Sequence, residues 1–499
     1  NGVAKLHTEI LKDDVLKDTG LFGGVQGLSI LVGIVRNKLV AMILGPEGMG
    51  LVSLFNSTIK LVSDSTNFGL SMSAVKRLSE AIEADNNSAV HHAVRLIRSW
   101  SLLTAVLGVV VCVVFSPLLN RWTFTWGDHT LHFVLLSPVV GCMAITAGEM
   151  AILKGARRLR HLAAISVYNV VLALVISVPI YYEFGQSGIV PSLFLLALVQ
   201  MLLTIYYSFR LFPPRFSFSM SQLREGSGMV KLGLVFVLAG ILGSGAEFVI
   251  RSFLNTNGSL TDVGLYNAGY VMTMTYAGMV FSAMETDYFP RLSGFHDLGA
   301  DFNRTVNHQI EVSLLLVSPL LVFFMVALPV LLPLLYSGQF VPVLGMMKVT
   351  VLAMYLRAVT LPVEYIALAR NDSRSYLFLE AAYDAVFCLL VISGYHTWGL
   401  LGTGVGITAA GLVNAVIVFV YTRRKYHYQL SAEVRRYSLL QMPLGLLAFS
   451  VTFFLDGWLY WSLGLLLAVM SLIVSVVILR SKTNLWKALK SRVFDKLSR

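Results

Sequence analysis

Apolar runs of roughly twenty residues, separated by short polar stretches, recur along the whole chain. A run of that length spans the ~30 Å hydrocarbon core of a bilayer as a helix, and none shows the ~10-residue alternation of a membrane barrel strand. Inside hydrocarbon each backbone polar group must find its partner within the segment, so the runs predict helices. The predicted spans are 21–44, 51–75, 100–119, 131–153, 162–182, 189–209, 232–254, 265–284, 310–335, 343–369, 376–393, 401–421, 439–455 and 459–479, fourteen in all. The first two are expected to meet at a tight turn, Gly45-Pro46-Glu47-Gly48.

The pattern repeats. A shift of 214 positions lays Gly50-Leu51 on Gly264-Leu265 and Arg77-Leu78-Ser79 on Arg291-Leu292-Ser293. A shift of 215 lays Glu149 on Glu364, Tyr168 on Tyr383 and Asn169 on Asp384. Matches in the same order at nearly one offset point to a duplicated unit of about six membrane segments. The fold class expected is an all-α polytopic membrane protein with two six-helix lobes, 1–220 and 221–437, followed by two more helices and a basic tail in 438–499.

Composition agrees with that reading. Hydrophobic residues make up 56% of the chain and charged residues 13%, with a mean hydropathy of +0.73, far outside the range of soluble domains. The three cysteines, Cys112, Cys142 and Cys388, fall within apolar runs at no metal-ligand spacing and are expected to be packing residues. Asn1 to Asp18 is polar and no small-residue cleavage site follows the first run, so no cleavable signal is expected.

The net charge of +11 is spread unevenly. With the N-terminus inside, the basic loop residues all fall on the cytoplasmic side except Arg121, as positive residues should. Both termini are then cytoplasmic, and the basic loops answer to anionic membrane lipid and not to nucleic acid. The segment from Lys482 to Arg499 could lie on the membrane surface as an amphipathic helix.

Charges within the spans carry the candidate chemistry, because each costs at least ~2.5 kcal/mol at bilayer depth unless it faces protein or water. The basic set is Arg36, Lys38, Lys60, Arg251, Lys348 and Arg357. The acidic set is Asp64, Glu149, Glu247, Glu285, Asp287, Glu364, Glu380 and Asp384, of which Asp64, Glu247, Asp287 and Glu364 are candidates for a coupling ion. Lys60 with Asp64, and Glu247 with Arg251, are four apart on one helix face, so each pair either neutralises itself or holds a ligand. Glu149 and Glu364 are expected to pair with Lys154 and Arg370; Glu380 and Asp384 are like charges one turn apart, which either hold a proton or, as the favoured reading, pair with Arg374 at the interface. The sequence has no phosphate-cradling Gly-Lys-Ser/Thr loop, no cluster of metal ligands and no nucleophile set, and it implies no cofactor.

The stretch Arg36-Asn37-Lys38-Leu39 with Leu44-Gly45-Pro46-Glu47-Gly48-Met49-Gly50-Leu51 resembles the opening hairpin of the bacterial oligosaccharide flippases, the polysaccharide transporter family. Arg251, Thr261-Asp262-Val263-Gly264-Leu265-Tyr266 and Tyr288-Phe289-Pro290-Arg291-Leu292-Ser293 are similar to that family's seventh and eighth helices. The resemblance implies a member of the multidrug/oligosaccharidyl-lipid/polysaccharide flippase superfamily, with two six-helix lobes around a central cavity that opens alternately to either side of the inner membrane. It implies a cargo of oligosaccharide on undecaprenyl pyrophosphate, a polyprenyl pyrophosphate, carried across among membrane lipids and driven by H+ or Na+. Other polysaccharide-assembly proteins are implied partners. Lys38 and Arg251 match the family's basic cavity residues best, and Arg36 less closely. Twelve helices are usual in the family, so the last two are a departure.

Two other classes compete with this expectation. A cation-coupled multidrug or other small-molecule antiporter of the same superfamily should present buried carboxylates to organic cations. A membrane-embedded glycan polymerase or ligase should carry a large outer loop, whereas the longest here, near Asn120 to Thr130, is about a dozen residues.

Overall fold

The structure, a computed structural model, describes the backbone of residues 2–214, 220–276, 278–295 and 297–482. Side chains are described from residue 27 onward except at 71, 72, 159, 220, 222, 223, 228–232, 276, 279, 282–287 and 290. Among these residues the chain is helical and contains no strand. The helices are α1 (Gly2–Thr66), α2 (Leu70–Glu83), α3 (Asn87–Val114), α4 (Ser116–Thr123), α5 (Thr130–Gly155), α6 (Leu159–Phe184), α7 (Ile189–Leu211), α8 (Met220–Asn257), α9 (Leu260–Tyr270), α10 (Gly278–Ser293), α11 (Ala300–Leu335), α12 (Leu344–Ala369), α13 (Ser373–Tyr426), α14 (Ala432–Phe454) and α15 (Gly457–Ser481).

Ten helical stretches among the described residues are long and apolar enough to cross a membrane. The expectation was fourteen, and the difference has a local cause. Three of the ten stretches each carry two expected spans. α1 turns at Gly45 alone (φ 65°, ψ −175°), a conformation that glycine adopts without a Cβ penalty. Pro46 then begins the second rod, where its missing N–H costs nothing. The expected four-residue turn is thus a single residue. α13 is interrupted in the same way at Trp398 and Gly399, and α6 runs into α7 through a single 3-10 turn, Gly185–Gly188. The span expected at 265–284 falls partly outside the described residues; α9 passes into a π-helical turn, Val271–Tyr276, ahead of α10.

Helix starts follow ordinary capping. The Asn86 side chain accepts from the Ala89 N–H to open α3, Asp372 does so from Ser375 at α13, and Ser431 from Val434 at α14.

The contacts divide the chain into two compact units, one of Asn1–Gly264 with Leu335–Ser337, the other of Leu265–Leu334 with Gly338–Arg499. α8 therefore packs with the first half, on α1 and α2. Within the first unit α5 is the central helix, touching α1, α2, α3 and α7. The glycines matched by the repeat approach each other here. A Cβ at Gly50 would lie 1.9 Å from the Leu260 carbonyl oxygen, and one at Gly264 would lie 1.8 Å from the carbonyl oxygen of Pro46. In the second unit α12 is central, packing on α13, α10 and α14, and α14 pairs with α15.

Lys482 closes the base of the last helix pair. Its Nζ donates to Glu311 of α11 and lies 3.5 Å from Glu433 of α14. The amphipathic segment expected to follow it, from 483 on, lies outside the described residues.

Candidate functional site

In the first unit the cations cluster around one carboxylate. Arg251 is buried, with its Nε donating to Ser53 Oγ at 2.8 Å and one terminal nitrogen to the Glu247 carbonyl oxygen at 3.3 Å. That nitrogen also lies 3.7 Å from Glu247 Oε2, while Lys60 Nζ donates to Glu247 Oε1 at 3.0 Å. The pairing of Glu247 with Arg251 along their helix is therefore kept, but Lys60 leaves Asp64 and crosses from α1 to α8. Lys60, Glu247 and Arg251 together carry one surplus positive charge. The Lys60 side chain is 49% exposed, so the cluster has an accessible cation as well as a buried one. Asp64 accepts from Asn67 at 3.5 Å.

The other expected basic residues divide. Arg36 Nε donates to Ser177 Oγ of α6 at 2.9 Å, beside Tyr181. Lys38 is partly buried. Lys348 reaches the last helix pair. Its Nζ donates to the Thr452 carbonyl oxygen at 2.5 Å and sits 5.1 Å from the Tyr460 ring centroid, so it anchors α14 and α15 to α12. Asp287 lies outside the described side chains.

In the second unit, Arg357 and Glu364 of α12 line a cavity of about 270 Å³ with Glu380, Tyr376 and Tyr383 from the first arm of α13 and Asn414 from its second. The Asn414 amide donates to Glu364 Oε1 at 2.7 Å. Arg357 Nε is buried and has no hydrogen-bond partner among the described residues. The π-helical turn supplies Met274 to the same wall.

Three expected pairings give way, the first being that of Glu380, which lines the cavity while Arg374 is exposed. Glu364 meets Asn414 and not Arg370, because residues six apart lie on different faces of a helix whereas α13 runs alongside. Glu149 meets Arg98 and not Lys154, which is exposed. Arg98 stands just ahead of the apolar run 100–119, where a loop residue is expected, but α3 starts at Asn87 and carries it inside the helix, where it is 3% exposed. Its Nε donates to Glu149 Oε1 at 2.9 Å and a terminal nitrogen to Oε2 at 3.3 Å, and it also donates to the carbonyl oxygens of Phe212 and Pro213. Ser208 donates to Glu149 as well. Asn414, which was not singled out, carried a usable signal in being an amide within the apolar run Leu412-Val413-Asn414-Ala415-Val416. Ser53 carried none.

Outside the spans, Glu225 of α8 accepts from His92 and pairs with Arg77, and those bonds, His92 first, hold its carboxylate below the usual range.

The solved structure titled as the lipid II flippase MurJ in an inward closed conformation matches with a TM-score of 0.72 at 12% identity, covering 93% of this chain and 99% of that one. An inward-facing multidrug resistance transporter of the MATE family in the MOP superfamily matches at 0.64 and 18%, covering 81% and 94%. A MOP superfamily transporter from Pyrococcus furiosus matches at 0.56 and 16%, covering 82% and 93%. These likenesses establish the MOP transporter fold. No curated protein matches the chain. The family model described as polysaccharide biosynthesis protein matches residues 15–296, more than half of the sequence and the half that holds the Arg251 cluster, and the chain belongs to that family.

Proposed function

We propose that the protein is a flippase that carries an oligosaccharide linked to undecaprenyl pyrophosphate from the cytoplasmic to the periplasmic leaflet of a bacterial inner membrane. The observation that carries this reading is the cationic surplus at Arg251, Lys60 and Glu247. A pyrophosphate is anionic, and a guanidinium offers it two parallel donors that an ammonium cannot copy. In this reading Arg251 and Lys60 receive the pyrophosphate, with Lys38, Arg36 and Arg357 as further cations on its path and Lys348 as a structural anchor. Alternating access moves the lipid, and an ion gradient drives it through membrane carboxylates, Asp64, Glu247, Asp287 and Glu364 being the candidates. Both termini face the cytoplasm. The protein performs transport and not bond chemistry.

The test is transport of lipid-linked oligosaccharide in proteoliposomes, with and without a proton or sodium gradient. Arg251→Ala should abolish transport with folding near normal, and Arg251→Lys should restore part of it. If Arg251 serves only to neutralise Glu247, the double change Glu247→Gln with Arg251→Gln should transport like the parent, and that result would sink the reading.

A second reading, cation-coupled export of small organic cations, draws on the carboxylates of the second unit's cavity and on the MATE likeness. Gradient-driven uptake of a fluorescent organic cation, with no transport of lipid-linked oligosaccharide, would favour it.

A further inference from the structure

The carboxylates proposed to take a coupling ion are not alike. Glu247 lies between two cations, and Asp64 accepts from Asn67. The cavity of the second unit is different. It presents two carboxylates, Glu364 and Glu380, to one guanidinium, Arg357, and the charges acting on Glu380 are those of Glu364, Asp384 and Arg357. Like charges held close at membrane depth are costly until a cation joins them.

The shape of the site narrows that cation. At ~30 Å³ per molecule the cavity has room for on the order of nine waters, enough for a hydrogen-bonded chain from solvent to both carboxylates. Its third charged group is a guanidinium, which repels a metal ion, and no three metal-ligating side chains converge among the described residues. A proton needs no coordination shell and adds to a single oxygen.

The groups facing the pair can be named from each element. α12 contributes Arg357, Glu364 and Tyr365, and the first arm of α13 contributes Tyr376, Glu380 and Tyr383, with Asp384 behind them. The second arm of α13 contributes Asn414, the π turn Met274, and α9 brings Tyr270 against Tyr383.

We propose that this cavity is the proton-exchange site of the transporter, with one proton held between Glu364 and Glu380 and Arg357 as the fixed countercharge. The assignment rests on the gradient-driven reading above and adds to it the ion, the unit and two residues, Glu380 and Arg357. Uptake places the proton on one carboxylate oxygen of the pair, and release returns it to water in the cavity.

The experiment is an infrared titration of the purified full chain in lipid nanodiscs, without cargo or gradient, following the C=O band of protonated carboxyl groups from acid to mildly alkaline pH. One of the titrating bands in the parent should be lost or move to lower pH in both Glu364→Gln and Glu380→Gln, since each variant removes one of two like charges. Arg357→Gln should move its midpoint to higher pH, since losing the cation favours the protonated form. If a glutamine variant fails to fold, Glu380→Asp keeps a carboxyl and should shift the band without removing it. An unchanged band in both glutamine variants would overturn the site, as would a midpoint that moves when sodium chloride replaces choline chloride. The band with no oligosaccharide transport leaves the site standing and the flippase reading refuted. Gradient-driven transport that survives the double change Glu364→Gln with Glu380→Gln does the reverse.

Discussion

Glu149 and Glu364, which a shift of 215 positions lays on each other in the sequence, are held in opposite ways. Glu149 is enclosed. Arg98 from α3 meets it with two nitrogens, Ser208 of α7 donates to it, and the Phe209 ring covers the guanidinium at 4.5 Å. Glu364 takes an amide from Asn414 and faces a cavity that Arg357 also lines. One carboxylate is a clamp that joins three helices, and the other lines a cavity, where the proton site is proposed. A charge buried with its partner cannot change its protonation cheaply.

Paired substitutions test this contrast most directly. Glu149→Gln strands the Arg98 guanidinium in the interior and should cost about 3–5 kcal/mol. Glu364→Gln keeps a hydrogen-bonding group in a wet cavity and should cost under about 1 kcal/mol. Unfolding followed by intrinsic fluorescence in detergent measures both, and equal losses would erase the distinction. Arg98→Leu combined with Glu149→Leu should recover most of the stability, because a buried ion pair is replaceable by well-packed apolar groups.

The next effect is smaller. Asn414→Ala removes the donor to Glu364 and should cost about 1–3 kcal/mol if that oxygen is sealed, and less if water from the cavity replaces the amide. A loss at the upper end would show that Glu364 is as enclosed as Glu149.

The smallest concerns pH. Asp372, outside the spans, is opposed by partial burial, but its bonds from Lys425, Ser375 and Tyr426 outweigh this and hold it well below the usual aspartate range. A depressed carboxylate stabilises the fold above its unfolded value, ~3.9, and loses that contribution as pH falls through its folded value. Asp372→Asn keeps the N-cap but removes the charge, and should therefore lower stability by at most about 1 kcal/mol at neutral pH. The deficit should shrink in acid, and a deficit that grows there would contradict the assignment.

Much of this fold was legible because hydrophobic length is a property of one segment at a time. Apolar runs located the rods. The kinks at Gly45 and Trp398 were legible as turns, but their brevity was not, because one residue outside helical φ/ψ suffices. Pairing between helices was another matter. Lys60 finds Glu247 across 187 positions, and Arg98 finds Glu149 across 51. Such contacts depend on how each rod is rotated and on its depth, neither of which the periodicity of a nearly uniformly apolar helix fixes. Arg98 shows the cost, since an arginine at the end of an apolar run has the same sequence signature whether it ends in a loop or is drawn inside.

The approach of Gly50 to Gly264 has the form of an isologous contact, in which each half offers the other the same surface. If the repeat arose by duplication, the ancestral chain would have met its own copy at this glycine, and any side chain gained there would have struck the dimer twice. Fusion halves that penalty without removing it, since a methyl group at either position still falls within 2 Å of a carbonyl oxygen. The two sites are therefore constrained together, and divergence between the halves has had to occur elsewhere, as at the two glutamates.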